Sequence, residues 1–486
     1  MLTNLIVAVD LKWGISKLGS IPWKIKEDTN FFQDVTKRSY QLGKKNAMIM
    51  GRSTWKSLPD NGRGLFDRIN IVVSGSMDDI ELNTDNLTKS EAYLVKSLPE
   101  AMSLCTKLNP GKIFICGGSQ IYKEALRTLN IDEIYLTKIN ADYDCDNIFP
   151  MNELILILPH YREHMNKSFA IKNTDINFIK YGKENLPNTN NEEQQYLDLL
   201  HSILVTGHFR QTRNSKTWST FGKTLEFDLS KGFPILTTKR VFFRGIFEEL
   251  LFFLRGDTDA KHLSDVGVKI WEANTTRKFL DSVGLVHYPA GTMGPMYGFQ
   301  MKYFGAEYQG SAYDYTGQGV DQIAYCLNLL KTDPYSRRIM MTTYNPAQVG
   351  QGVLYPCHGI SIIFNVDATH HLSCMMTQRS VDTACGLPFN ISSYALLVHL
   401  FCEIINNDVN YLGPKFSPGR LTMILGDTHI YEDHYSDIIR QLLREPYQFP
   451  QLGFKRKVMD LVDFKFEDLE LIGYQTYPIL NFKMIA

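Results

Sequence analysis

No two of the eight cysteines stand at the close C-x-x-C spacing that a zinc site or a dithiol redox motif needs. They fall at 105, 116, 145, 326, 357, 374, 385 and 402. In a long chain without a secretory leader, that scatter reads as free thiols in a reducing compartment. An excess of charge of either sign is also missing, with 51 basic side chains against 52 acidic ones. Extended nucleic acid is therefore not an expected partner, although a local group of arginines can still hold a small anion. Apolar runs such as Gly245–Leu254 are too short and too charged to span a bilayer. The N-terminal stretch MLTNLIVAVDLKWG carries no basic leader or small-residue cleavage site, and Asp10 comes early, so a cytoplasmic protein with no membrane partner is expected. No repeat and no low-complexity tract interrupts the chain. What remains is 486 residues of ordinary globular composition, 44% hydrophobic and 21% charged. That is more than one hydrophobic core usually organises, so at least two domains are expected.

The first part alternates short Ile/Val-rich runs (Leu5–Val9, Ala47–Met50, Ile69–Val73, Ile113–Cys116, Ile131–Leu136) with helical stretches. Ser97-Leu98-Pro99-Glu100 has the S-x-x-E pattern of a capping box with proline in the first turn, and so starts a helix. Alternation of this kind predicts an α/β domain with a largely parallel sheet over residues 1–183. Residues 184–195 have linker composition, polar and turn-rich. A helix with Leu197, Leu200 and Leu204 on one face then opens a second domain, 196–486.

In the first domain Ile21-Pro22-Trp23 is followed by Asp28, Phe31 and Phe32. On a helix, Asp28 and Phe32 share a face, and an acid beside an aromatic wall can hold the amidine-like edge of a planar heterocycle. Taken alone, a first-turn acid favoured by the helix dipole explains Asp28 equally simply. Ile113–Cys116 runs into Gly117-Gly118-Ser119, where glycines let backbone N–H groups approach a phosphate at a helix end; a plain strand–helix turn reads the same. Met50-Gly51-Arg52-Ser53-Thr54-Trp55 is a second such corner, offering a cation and two hydroxyls, or else a capped helix with a solvated arginine.

In this order, with Ala8-Val9-Asp10, Gly14-Ile15, Ile121-Tyr122 and Phe149-Pro150, these motifs resemble dihydrofolate reductase nearly end to end over the domain. The resemblance implies that Asp28 binds the pterin and assists protonation of the imine nitrogen. It implies that Phe32 packs on the folate, that Arg68 pairs with its glutamate carboxylate, and that Thr137 hydrogen-bonds Asp28. For the cofactor it implies NADPH, with Arg52, Ser53 and Thr54 on its phosphates, Gly117, Gly118 and Tyr122 on the nicotinamide side, and Ala8, Gly51 and Ser74 completing the site. Gly75 and Gln120 stand where family members often carry a hydroxyl and a base, so preference for NADPH over NADH rests mainly on Arg52.

In the second domain Tyr355-Pro356-Cys357-His358-Gly359 precedes an apolar run, Ile360–Phe364. A cysteine at a strand entry can face a pocket, where neighbouring cations would lower its pKa and populate the thiolate. Taken alone, a Cys-His dipeptide is usually structural. On a strand His358 would point away from Cys357, a poor position for its base. Ser336-Arg337-Arg338 and Gln378-Arg379-Ser380-Val381-Asp382 supply arginine forks suited to a nucleoside monophosphate, or plain solvated faces. Asn390, in Gly386-Leu387-Pro388-Phe389-Asn390, can read a pyrimidine's amide edge or cap a helix.

Together with Phe247-Glu248-Glu249-Leu250-Leu251, Ile270-Trp271-Glu272-Ala273-Asn274, Gly294-Pro295-Met296-Tyr297-Gly298 and Gly426-Asp427-Thr428-His429-Ile430-Tyr431, these segments resemble thymidylate synthase, an α+β fold, over almost the whole domain. The resemblance implies that Cys357 attacks carbon 6 of dUMP. The resulting carbon 5 enolate then attacks the iminium form of 5,10-methylenetetrahydrofolate, and hydride transfer from that folate gives dTMP and dihydrofolate. It implies that Glu249 manages protons through water, and that Arg213, Arg379 and Ser380 hold the phosphate together with Arg337 and Arg338 of the other copy in an obligate homodimer. Asp382 and Asn390 would orient the base and His429 and Tyr431 the ribose, while Trp271, Asn274 and Tyr297 shape the folate pocket. Neither site implies a metal. Asn390 argues against a hydroxymethylating relative, where an acid stands instead.

Two departures stand out. The phosphate loop Arg213-Asn214-Ser215-Lys216-Thr217 has no glycine, and Tyr477 replaces a usual histidine, whereas the closing Met484-Ile485-Ala486 is close to the family's small apolar ending. Fusion makes chemical sense, since the dihydrofolate made by one half is what the other half reduces.

Overall fold

The computed structural model describes residues 2–39, 41, 43–58, 64–77, 91–171, 173–183, 190–212 and 215–483. The chain divides into two units, Met1–Asn188 and Thr189–Ala486.

The first unit is built on an eight-stranded sheet. Its strands run, edge to edge, Glu91–Val95, Arg68–Val73, Asn46–Gly51, Lys112–Ile115, Leu2–Val9, Glu133–Ile139, Thr174–Gly182 and Arg162–Ile171. The first six are parallel, and the last two form an antiparallel hairpin on that edge. Parallel strands carry helices on both faces, so Leu5, Val7, Ile49, Ile71, Ile113 and Ile134 are buried runs without polar alternation. Helix Leu98–Leu108 starts at Ser97, whose hydroxyl accepts the Glu100 N–H at 3.4 Å. The reciprocal half of the expected capping box goes elsewhere: the Glu100 carboxylate accepts the N–H of Lys96, not that of Ser97.

The second unit pairs a six-stranded sheet with helices. The strand order is His208–Gln211, Lys216–Asp228, Ser417–Tyr431, His371–Asp382, Ser361–Val366 and Met340–Met341. Only Ser417–Tyr431 and His371–Asp382 run parallel. Helix Gly386–Asn407 is apolar enough by length and composition to cross a membrane, yet most of it is buried as the unit's core helix. The opening helix begins at Asn191, capped by the Asn190 side chain, and so takes in residues 191–195, which read as linker in the sequence. The reason is Glu193. Fully buried, it accepts the N–H and the hydroxyl of both Thr237 and Thr238, which fixes that turn of helix against the unit.

Candidate active sites

In the first unit Ala8, Gly51, Ser74, Gly117 and Gly118 lie at or just beyond the carboxyl ends of parallel strands, the usual position for ligands on an open α/β sheet, whereas Arg68 opens its strand at the amino end. Helix Lys26–Lys37 carries Asp28 in its first turn. Two donors hold its carboxylate, the Trp23 indole at 3.3 Å and the Thr137 hydroxyl. Burial nevertheless outweighs both bonds and lifts Asp28 above the ordinary carboxylate range. Thr137 is registered beside Ala8 on the neighbouring strand, so those two positions adjoin by sheet pairing. Of the aromatic pair, Phe31 turns into the core against Phe178 and Tyr135, leaving Phe32 half-buried one residue on.

Arg68 is anchored to the same helix. It donates to the Thr36 hydroxyl at 2.7 Å and to the Phe66 carbonyl, and Thr36 donates in turn to the carbonyl of Phe32. The guanidinium is 4% exposed and makes no ion pair among the described residues; burial brings its pKa down to about 10.

The Gly51 N–H donates to the Gly117 carbonyl, joining the two strand ends. Gly117 has φ +143°, and a Cβ there would lie 2.8 Å from Thr54 Oγ1, so only glycine fits. Gly118 then opens helix Ser119–Thr128. Arg52 donates to Ser76, and the Ser74 hydroxyl accepts the N–H of Ser76 and Met77, while Ser53 is exposed. Tyr122 is buried with its hydroxyl donated to the Ile6 carbonyl, so it contributes packing and no free polar group.

In the second unit Cys357 sits in the loop before strand Ser361–Val366, with His358 outside the strand as well. The opposite-face argument about His358 therefore fails. Its ring stacks on Tyr297 at 4.3 Å and its Nδ1 meets the Tyr394 hydroxyl at 2.9 Å. Burial holds its pKa at about 3, so it is neutral and still no base for the thiol. The Tyr297 hydroxyl accepts the Cys357 N–H at 3.1 Å and lies 3.3 Å from Sγ. Tyr297 has φ +41°, uncommon for a bulky residue, and its ring is clamped by Phe253, Trp271 and His358.

The expected low thiol pKa is overturned. Burial pushes Cys357 up, and the Tyr297 bond and the Arg379 charge only partly offset it. Arg379 is exposed and partly committed to the backbone, donating to the carbonyls of Pro356 and Tyr355. Glu249 accepts the Trp271 indole N–H at 2.8 Å, and burial lifts it to about 7 against that bond.

Sheet register places Ser380 beside Asp427 and Asp382 beside His429. His429 Nδ1 lies 3.0 Å from Asp427, and Tyr431 ends the same strand. Asn390 lies inside helix Gly386–Asn407, whose cap position is Cys385, so capping does not explain it. Asn274 is buried in a short turn just after Trp271. Arg337 and Arg338 are exposed in a turn beyond helix Gln322–Thr332, without an ion pair among the described residues. Arg213 and Met484–Ala486 lie outside the described residues. Lys239 escaped sequence reasoning: it is buried, donates to the Ala384 carbonyl, and stands close enough to Asp382 and Cys385 to feel their charge. Thr237-Thr238-Lys239-Arg240 carries no motif that would have singled it out.

An α/β unit with a buried acid beneath its strand ends, joined to an α+β unit with a tyrosine-held cysteine, defines two classes of enzyme on one chain. The family described as Dihydrofolate reductase matches residues 2–183, and that described as Thymidylate synthase matches residues 194–486. A Paramecium tetraurelia protein named bifunctional dihydrofolate reductase-thymidylate synthase is 38% identical over 492 residues, covering 99% of this chain and 98% of the relative. Proteins of the same name from Leishmania major and Glycine max are 37% and 34% identical, each covering 99% of this chain and 94% of the relative. The chain belongs to the bifunctional dihydrofolate reductase–thymidylate synthase family.

Proposed function

We infer that the chain catalyses two consecutive reactions: methylation of dUMP to dTMP in the second unit and reduction of the dihydrofolate formed there to tetrahydrofolate in the first. The observation that carries this reading is that each unit presents its own buried acid of raised pKa, Asp28 and Glu249, the latter accompanied by a thiol. An acid lifted toward neutrality can both hold and pass a proton at working pH.

In the second unit Cys357 Sγ bonds carbon 6 of the pyrimidine. The raised thiol pKa means the proton leaves mainly when the bound nucleotide is in place. Tyr297, donating to sulfur, then steadies the thiolate. Glu249 passes protons through water, and its link to Trp271 ties that task to the wall of the folate pocket. 5,10-Methylenetetrahydrofolate supplies the one-carbon unit and its reducing equivalents. Arg379, Ser380 and Arg213 hold the phosphate, Asp382 and Asn390 the base, and His429 and Tyr431 the ribose; Asn274 and Tyr297 complete the folate pocket. In the first unit Asp28 holds the pterin edge and the proton, while Phe32 covers the ring. The buried Arg68, without an ion pair among the described residues, suits the substrate's glutamate carboxylate. The glycine cradle at Gly117, which a Cβ would fill, fits a dinucleotide together with Ala8, Gly51, Arg52, Ser53, Thr54, Ser74, Gly118 and Tyr122. NADPH supplies the hydride when bound there.

The second sheet supports a homodimer. Residues alternate along its strands, and Ile363, Met375, Thr377, Thr422 and Ile424 adjoin by register on the face opposite the buried core positions, only half-covered. A contiguous apolar face of this kind is covered by a second copy, and exposed Arg337 and Arg338 are then free to reach the other copy's phosphate site.

Purified protein given dUMP and 5,10-methylenetetrahydrofolate should accumulate dihydrofolate and consume it once NADPH is added. Cys357→Ser should lose the first step and Asp28→Asn the second, each sparing the other. Dihydrofolate that persists after NADPH addition would reduce the first unit to a scaffold.

A further inference from the structure

Beside the nucleotide residues lies a group of donors that the reactions above do not employ together. The ligand atoms of Asp382, Cys385 and His434 all lie within 4.8 Å of one another. His434 is 2% exposed, and its Nε2 is 2.8 Å from the backbone carbonyl oxygen of Lys483. A carbonyl only accepts, so Nε2 carries the proton of the neutral ring and the lone pair falls on Nδ1, which has no hydrogen-bond partner among the described residues. A histidine with one N–H committed to a backbone carbonyl and a bare second nitrogen is in the state in which imidazole ligates metals. Cys385 Sγ approaches the same Lys483 carbonyl at 3.9 Å. The Asp382 oxygen Oδ1 is held by the N–H groups of Ala384 and Cys385, and the Cys385 thiol hydrogen-bonds the same carboxylate.

We propose that Asp382, Cys385 and His434 form a binding site for a divalent cation of the zinc class, and that filling it withdraws Asp382 from the nucleotide. The donor set of one thiolate, one imidazole and one carboxylate, with the fourth position left to water or a carbonyl, is of the tetrahedral type zinc takes. Metal–ligand bonds of about 2.0–2.3 Å require the widest donor pair to close by about 1 Å. Binding displaces the Cys385 proton to solvent, so two positive charges meet two negative ones. Cys385 itself, pushed up to about 12 by burial, holds that proton at neutral pH until a cation competes for the sulfur. Lys239, buried beside Asp382 and Cys385, opposes the cation. Only the coupling to Asp382 rests on the functional reading above; the metal site does not.

The test uses full-length protein in a Cys357→Ser background, reduced with a phosphine, so that the nucleophile's thiol adds no signal. Titrated with Co²⁺, it should develop a thiolate-to-cobalt charge-transfer band that Zn²⁺ abolishes. Cys385→Ser should remove the band, and His434→Gln should weaken binding by more than the roughly 10–100-fold that loss of an outer-shell partner costs. Synthase turnover retained by each variant with Cys357 restored reports that the second unit folds. No charge-transfer band, or one unchanged by Cys385→Ser, overturns the site. In protein with Cys357 intact, Zn²⁺ should raise the KM for dUMP and spare the reductase. Cobalt bound through Cys385 together with an unchanged KM refutes the coupling to Asp382 alone.

Discussion

Replacing Trp271 with phenylalanine isolates how Glu249 is tuned. The indole N–H donates to the carboxylate at 2.8 Å and favours the ionised form, while burial favours the protonated one and wins, leaving the acid at about 7. A hydrogen bond to a charged group is worth about 1.5–3 kcal/mol, and one pKa unit corresponds to about 1.36 kcal/mol. Deleting the donor therefore moves Glu249 upward by about 1–2 units, to roughly 8–9. The pH profile of kcat/KM for the synthase reports ionisations of the free enzyme, so the limb near neutrality should shift to higher pH in Trp271→Phe. The infrared difference between each protein and its Glu249→Gln counterpart follows the protonated carboxyl directly and should shift in step. In the proposed reading Trp271 also walls the folate pocket, so the substitution should raise KM as well. That effect lowers the whole profile without moving its limb, and the two contributions separate. A limb that stays near 7 or moves down would show that the indole does not hold the charged form.

Four other outcomes are expected. Glu249→Gln should stabilise the protein above neutral pH. The folded state favours the protonated carboxyl, an advantage fully present below the ordinary 4.5 and lost as pH rises through about 7, and that gap amounts to about 3 kcal/mol. Urea unfolding of variant and wild type at pH 5 and pH 8.5 reads the difference, which should be larger at the higher pH. Thr137→Val removes a donor that lowers Asp28, so the acid limb of the reductase profile should move to higher pH with the synthase untouched. Gly117→Ala places a Cβ 2.8 Å from Thr54 Oγ1 at a left-handed φ; backbone strain of about 1–3 kcal/mol should appear as a lower Tm and weaker NADPH binding by calorimetry. Ile424→Arg puts a charge on the half-covered sheet face and should shift sedimentation toward the monomer, costing synthase activity and leaving the reductase.

Much of the molecule was legible because its chemistry is written in side-chain type and spacing. The Ile/Val runs announced a parallel sheet, since strands covered on both faces cannot afford polar alternation, and that sheet runs through six strands. Gly117 was legible because a backbone needing φ +143° beside Thr54 admits no other residue. Glu193 was misread for the complementary reason. Its neighbours are polar and linker-like, and its four donors come from Thr237 and Thr238, far along the chain. Cys357 shows the limit most clearly. Arginines nearby in sequence suggested a low thiol pKa, but the sign of a shift depends on whether charge or desolvation is stronger at the sulfur. Arg379 lies at the surface with part of its fork on backbone carbonyls, whereas Sγ sits under Tyr297 behind a ring of aromatic side chains. Desolvation therefore dominates, and the thiol stays protonated until a ligand brings compensating interactions. The same competition lifts Asp28 and Glu249. Candidate residues for both sites could be named from the sequence, but their protonation states are properties of the folded surroundings.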